Sequence, residues 1–146
     1  MIEELIKEQI AIKDLGKDFS RRVFFLLNNP DLGIAGYLED NNLNNSNCHG
    51  TSLWLIGEYE SERPRYIFPD FMKNFILKKA IKDKNPYPGC IISFWNNGLL
   101  THTGVCLIEK PKETLFIHQS DCAEPFELIT LESYKIEYPE ETPRFY

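Results

Sequence analysis

Cys90-Ile91-Ile92-Ser93-Phe94-Trp95-Asn96-Asn97-Gly98 is the stretch on which the fold turns. Six β-branched, aromatic or otherwise apolar-compatible residues run into Asn-Asn-Gly, the residue types that tolerate the left-handed backbone of a tight hairpin turn. A return strand is expected over His102 to Ile108, and Lys110-Pro111-Lys112-Glu113 reads as another turn. Thr114 to Gln119 and Phe126 to Leu131 read as further strands, and Tyr134 to Tyr138 as a last one.

Upstream of Pro86 the periodicity changes from two to near 3.6. Ile2, Leu5, Ile6 and Ile10 fall on one helical face that Gly16 should stop. A second helix is expected from Phe19 to Leu27, ended by Asn28-Asn29-Pro30, because proline cannot continue it. A loop rich in Gly and Asn, from Asp31 to Asn47, precedes an apolar helix that should start at Cys48 and end near Tyr59. A further helix over Phe71 to Ala80 would be capped by Asp70. Helices first and antiparallel strands second is the pattern of an α+β domain. One domain spanning 1–146 is expected, with 1–30 as an N-terminal helical extension and 37–138 as the core that carries chemistry.

The composition narrows the function. An apolar fraction of 42% is that of a folded globule. A net charge of −6, with Lys and Arg scattered, argues against nucleic acid as a partner, since neutralising phosphates needs a basic face. No apolar run is long enough for a membrane span. The start, Met1-Ile2-Glu3-Glu4, is acidic where a signal peptide is basic, so the expectation is a cytoplasmic protein or one exported by a non-classical route. Cys48, Cys90, Cys106 and Cys122 are expected as free thiols, because a chain of this size builds its core without staples.

Cys48 lies in Ser46-Asn47-Cys48-His49-Gly50-Thr51, where Asn47 or Ser46 can cap the helix and the thiol falls in its first turn. The unpaired N–H groups and positive dipole end there favour a thiolate. A nucleophilic thiolate needs a histidine for its proton and a third polar group to orient that ring. His49 follows Cys48 directly, and helical neighbours point about 100° apart, so it is expected to face solvent or support the site from behind. His102 opens one predicted strand and His118 closes the next, which would make them cross-strand neighbours at one end of the sheet.

Zinc is the competing use of these residues. His102 and Cys106, like His118 and Cys122, are four apart. On a strand, such positions are separated by about 13 Å, too far to share an ion held at about 2.0–2.3 Å from each ligand. No metal or other cofactor is expected.

In order and spacing, these segments resemble the NlpC-type papain-like cysteine peptidases, which hydrolyse amide bonds in bacterial cell-wall peptides. Asn47-Cys48-His49-Gly50 stands where that family usually has Asp-Cys-Ser-Gly. Pro88-Gly89-Cys90-Ile91-Ile92-Ser93-Phe94 is similar to its Pro-Gly-Asp-Leu-Val-Phe-Phe strand. His102-Thr103-Gly104-Val105-Cys106 and Phe116-Ile117-His118 match its base and orienting segments. The resemblance extends from about Tyr37 to Leu131.

It implies a papain-like domain whose nucleophile, at a helix N-terminus, packs on an antiparallel sheet. It further implies Cys48 as nucleophile, His102 as general base and acid, and His118 as the orienting residue. Tyr37, eleven residues before the cysteine, would line the oxyanion site with the Cys48 N–H, and Asn47 and His49 would contact substrate. The implied activity is amide hydrolysis through an acyl-enzyme, in peptidoglycan stem peptides foremost. Asn47, His49 and Cys90 depart from the family pattern. A papain-like amidase, deamidase or acyltransferase acting on another substrate, as an effector or toxin does, therefore stays open. So does an inactive binding module of the same fold.

Overall fold

The computed structural model describes residues 1–35, 46–79, 82–83, 85–110, 113–122 and 124–146. It is an α+β structure whose helices are α1 (Ile2–Ile12), α2 (Lys17–Asn28), α3 (Leu32–Ala35), α4 (Cys48–Leu55), α5 (Pro69–Lys79) and α6 (Leu131–Glu137). The strands are β1 (Ile91–Asn96), β2 (Leu99–Lys110), β3 (Glu113–Gln119), β4 (Phe126–Thr130) and β5 (Thr142–Phe145). They form one antiparallel sheet in the order β4-β3-β2-β1-β5. Among the described residues no helix is long and apolar enough to cross a membrane.

The expected hairpin is present. Asn97 and Gly98 both take positive φ (52° and 77°), the turn that matches the natural twist of paired strands. The return strand starts three residues earlier than expected, at Leu99, so His102 is inside β2 rather than at its opening.

Alternation along the strands divides the core between two faces of the sheet. On one face Val105, Leu107, Leu115 and Ile117 pack against Ile6 and Ile10 of α1, Phe19, Val23 and Leu26 of α2, and Trp54 and Leu55 of α4. Residues 1–30 are therefore part of the main core, not an extension of it. On the other face Phe94, Cys106 and Phe116 meet Leu131 and Tyr134 of α6. Leu53 of α4 and Met72 and Ile76 of α5 cover Ile91 and Trp95.

Three local expectations are corrected. The segment after β4 is helix, not strand: the Thr130 side chain accepts from the Ser133 N–H at 3.1 Å, and Leu131 and Tyr134, three apart, are buried together. Helix α4 ends at Leu55 instead of near Tyr59. Gly57 (φ 83°) lets the Glu58 N–H return to the Leu53 carbonyl and its own N–H to the Trp54 carbonyl, which closes the helix end. Asp70 lies within the first turn of α5 rather than before it, because Pro69, with its preset φ, takes the first helical position. Strand β5, outside the expected core of 37–138, adds to the free edge of β1 by pairing Phe94 with Pro143 and Ile92 with Phe145.

Candidate active site

Cys48 is the first residue of α4, and Asn47 is its cap, with the Asn47 Oδ1 accepting from the Gly50 N–H at 2.9 Å. The same oxygen accepts from the Ile67 N–H at 3.1 Å, and the Asn47 amide nitrogen donates to the Ile67 carbonyl at 2.8 Å. Both ends of this buried side chain are thus consumed by the protein. Asn47 is a clamp between α4 and the 59–67 segment, in the position where the resemblance implies a substrate contact. Gly50 belongs to the same junction: a β-carbon there would come within 1.5 Å of the Arg65 carbonyl oxygen.

The hydrogen-bonded ladder between β2 and β3 ends at Val105 and Ile117. Beyond it, the Cys48 sulfur lies near the backbone N–H groups of Thr103 and His49, both of which favour its charged form. The thiol is thereby lodged at the end of the sheet, beside the backbone of His102. No described residue accepts the Cys48 N–H, in keeping with its place in the first turn of a helix.

The expectation of a resting thiolate is overturned. Burial pushes the Cys48 thiol up to about 11, and the two N–H groups oppose that shift without cancelling it. In a site this dry, desolvation outweighs the two N–H groups.

His102 and His118 are joined directly, with His102 Nε2 and His118 Nδ1 2.7 Å apart. They are not opposite one another. His118 lies one step past the last backbone pair and His102 three, so the rings meet diagonally on one face of the sheet. The His102 ring is held between Phe94, at 5.8 Å, and Tyr134, stacked at 5.3 Å with 10° between planes. Burial holds His102 well below the usual histidine range, helped by the neighbouring His118 and His49. His118 is also lowered by burial, while Glu127 pulls the other way. Its Nε2 lies 2.9 Å from Glu127 Oε1, on the strand partner directly opposite.

His49 does not face solvent. It is 3% exposed, and its Nδ1 is 2.9 Å from Thr103 Oγ1 and 3.6 Å from the Cys48 sulfur. The expected 100° divergence is overcome because the first turn of α4 presses onto β2 and both side chains share the gap beside Thr103. Burial pushes His49 down to about 4, so it is neutral at pH 7. Among the described residues His49, not His102, is the imidazole within hydrogen-bonding distance of the thiol. Its Nδ1 faces a threonine hydroxyl and a sulfur, an environment for positioning or for taking a proton but not for reaching a substrate in solvent.

Tyr37 lies outside the described residues. Two side chains of the site escaped the sequence: Tyr134, which was assigned to a strand, and Glu127, whose position opposite His118 depends on the register across the 120–125 connection. All four cysteines are free thiols. Comparison with protein-family profiles, curated proteins and solved structures gives no match.

Proposed function

We propose that this chain is a cysteine hydrolase of papain-like, NlpC-type architecture that cleaves an amide bond, in peptidoglycan stem peptides foremost. One observation carries the reading. A buried cysteine at a helix N-terminus has its sulfur near the Thr103 N–H, next in sequence to a histidine that is itself hydrogen-bonded to a second histidine at 2.7 Å.

Both partners are neutral at rest, so the reaction is general-base catalysis from a thiol rather than attack by a standing ion pair. His102 Nδ1, the nitrogen not committed to His118, takes the thiol proton as sulfur bonds to the carbonyl carbon. The oxyanion is met by the Cys48 N–H. His102 returns the proton to the departing amine, and the C–N bond breaks. Water then attacks the thioester, with its proton passing to His102 and on to the released thiolate. The products are a carboxylic acid and an amine.

The test is incubation with purified bacterial cell-wall peptide fragments, with products read by mass spectrometry. The reading requires new carboxyl and amino ends from the native chain and none from Cys48→Ala. Intact fragments with both proteins reject the wall substrate.

The 3.6 Å contact between the Cys48 sulfur and His49 Nδ1 favours a second assignment, with His49 as proton acceptor. Turnover abolished in His49→Ala and kept in His102→Ala selects that assignment.

A further inference from the structure

The two histidines of the site pose a question that their own geometry does not answer. A hydrogen bond between two neutral imidazoles runs equally well in either direction. If His118 Nδ1 carries the proton, it donates to His102 Nε2, and His102 must hold its own proton on Nδ1. That nitrogen then has no lone pair and cannot receive a proton from the thiol. If the bond runs the other way, His102 Nδ1 is a base.

Glu127 breaks this tie. It sits on β4 directly opposite His118, and its Oε1 is 2.9 Å from His118 Nε2. A carboxylate only accepts, so His118 Nε2 must donate and carry the proton. Neutral His118 then has its lone pair on Nδ1, which accepts from His102 Nε2–H at 2.7 Å. His102 is left with its lone pair on Nδ1. Each step follows from the one before because burial keeps both rings neutral.

We propose that Glu127 is a positioning residue that sets the tautomer of His102 through His118, and so makes His102 Nδ1 a base. The role of His102 in this statement rests on the hydrolase reading above, but the tautomer itself does not. Glu127 is suited to the task because its side chain is about half exposed (49%), while His118 is almost fully buried at 1%. The carboxylate keeps contact with water while one oxygen reaches inward. The charged or titratable groups that face the two rings are Glu127 from β4, Tyr134 and Glu137 from α6, and His49 from α4.

The experiment is long-range proton–nitrogen NMR on ¹⁵N-histidine-labelled protein, which reads the protonated nitrogen of each ring without any substrate. The native chain should show protons on Nε2 of both His102 and His118. Glu127→Ala should lose this state, with one or both rings moving to Nδ1–H or to a mixture. Glu127→Gln, whose carbonyl can still accept from His118, should restore the native tautomers. A thermal melt confirms that each variant is folded, as expected for a half-exposed side chain on an edge strand. Unchanged nitrogen shifts in Glu127→Ala overturn the proposal, and so does a native chain whose His118 is protonated on Nδ1.

Turnover of cell-wall peptide fragments adds the second readout. Glu127→Ala should lower kcat by roughly tenfold to a hundredfold with KM little changed, less than the 10²–10⁴ typical of losing the base itself. Glu127→Gln should keep most of kcat but move the acid limb of the pH profile to lower pH, because the charge that raises His118 is gone. If the tautomers shift as expected and the native chain leaves the wall fragments intact, the wall substrate is rejected and the role of Glu127 in setting the tautomers stands.

Discussion

His102 Nε2 and His118 Nδ1 lie 2.7 Å apart even though the backbone ladder that joins their strands has already ended at Val105 and Ile117. The side chains continue the pairing after the main chain has let go. The Cys48 sulfur lies near the Thr103 N–H there, so the end of the β2–β3 ladder both makes room for the thiol and leaves the two rings to hold each other.

Replacing either ring should have unequal effects. His102→Ala should lower turnover of cell-wall fragments by about 10²–10⁴-fold, the usual contribution of a general base. His118→Ala should cost less, because an orienting group acts at one remove. Full turnover by His102→Ala in the mass-spectrometric assay contradicts its assignment.

Alkylation of Cys48 should be slow at neutral pH and should accelerate toward pH 11, since burial pushes its thiol up to about 11. Iodoacetamide labelling followed residue by residue with peptide mass spectrometry separates Cys48 from the half-exposed Cys122. A labelling rate that levels off below pH 8 disagrees with a buried, protonated resting thiol.

Acid should destabilise the fold as pH falls from 6.5 toward 4. His49 is held near 4 in the folded chain against 6.5 in the open one, so between those values only the unfolded chain takes up its proton. The stability from keeping this ring neutral is complete above pH 6.5 and is lost as pH falls to about 4. The loss from His49 alone is about 3 kcal/mol. His102 and His118 are shifted in the same direction and add to it. Urea melts from pH 7.5 to 4 measure the slope, and His49→Gln should flatten it.

Asn47→Ala should lower stability by about 2 kcal/mol in the same melts, through a lost helix cap and the stranded backbone groups of Ile67. Gly50→Ala should cost ~3 kcal/mol, because its new methyl meets the Arg65 carbonyl, a backbone atom that cannot step aside easily. If Asn47→Ala is as stable as the native chain, the clamp is not structural.

The hairpin around Asn97-Gly98 and the helix beginning at Cys48 were legible because turn chemistry and capping are local. Thr114 to Gln119 is legible because a short β-branched and aromatic run bounded by turn residues is a local signal too. Tyr134 was misplaced because 134–138 reads as β-prone, while the Thr130 cap and the three-residue spacing from Leu131 decide for helix. Glu127 was invisible for a different reason: the pairing of His118 with Glu127 is fixed by how the 120–125 connection folds, and one residue of slip would turn the carboxylate to the other face. Of the two placements the sequence allows His49, exposure fails and support from behind holds, because helical angles describe a free helix and not one whose first turn is pressed against Thr103. The charge state of Cys48 was misjudged because dipole and capping are written in the sequence, whereas dryness is a property of the packed whole.

The Thr103 N–H faces the sulfur of the residue proposed to react and favours its charged form, so that amide is sensitive to what the sulfur carries. An acyl or alkyl group on Cys48 crowds that sulfur and weakens further an acceptor that is already weak as a thiol. Hydrogen exchange at Thr103 should then quicken while Val105, still locked to Ile117, keeps its protection. The backbone thus carries a gauge of the covalent state of Cys48, legible from a single amide.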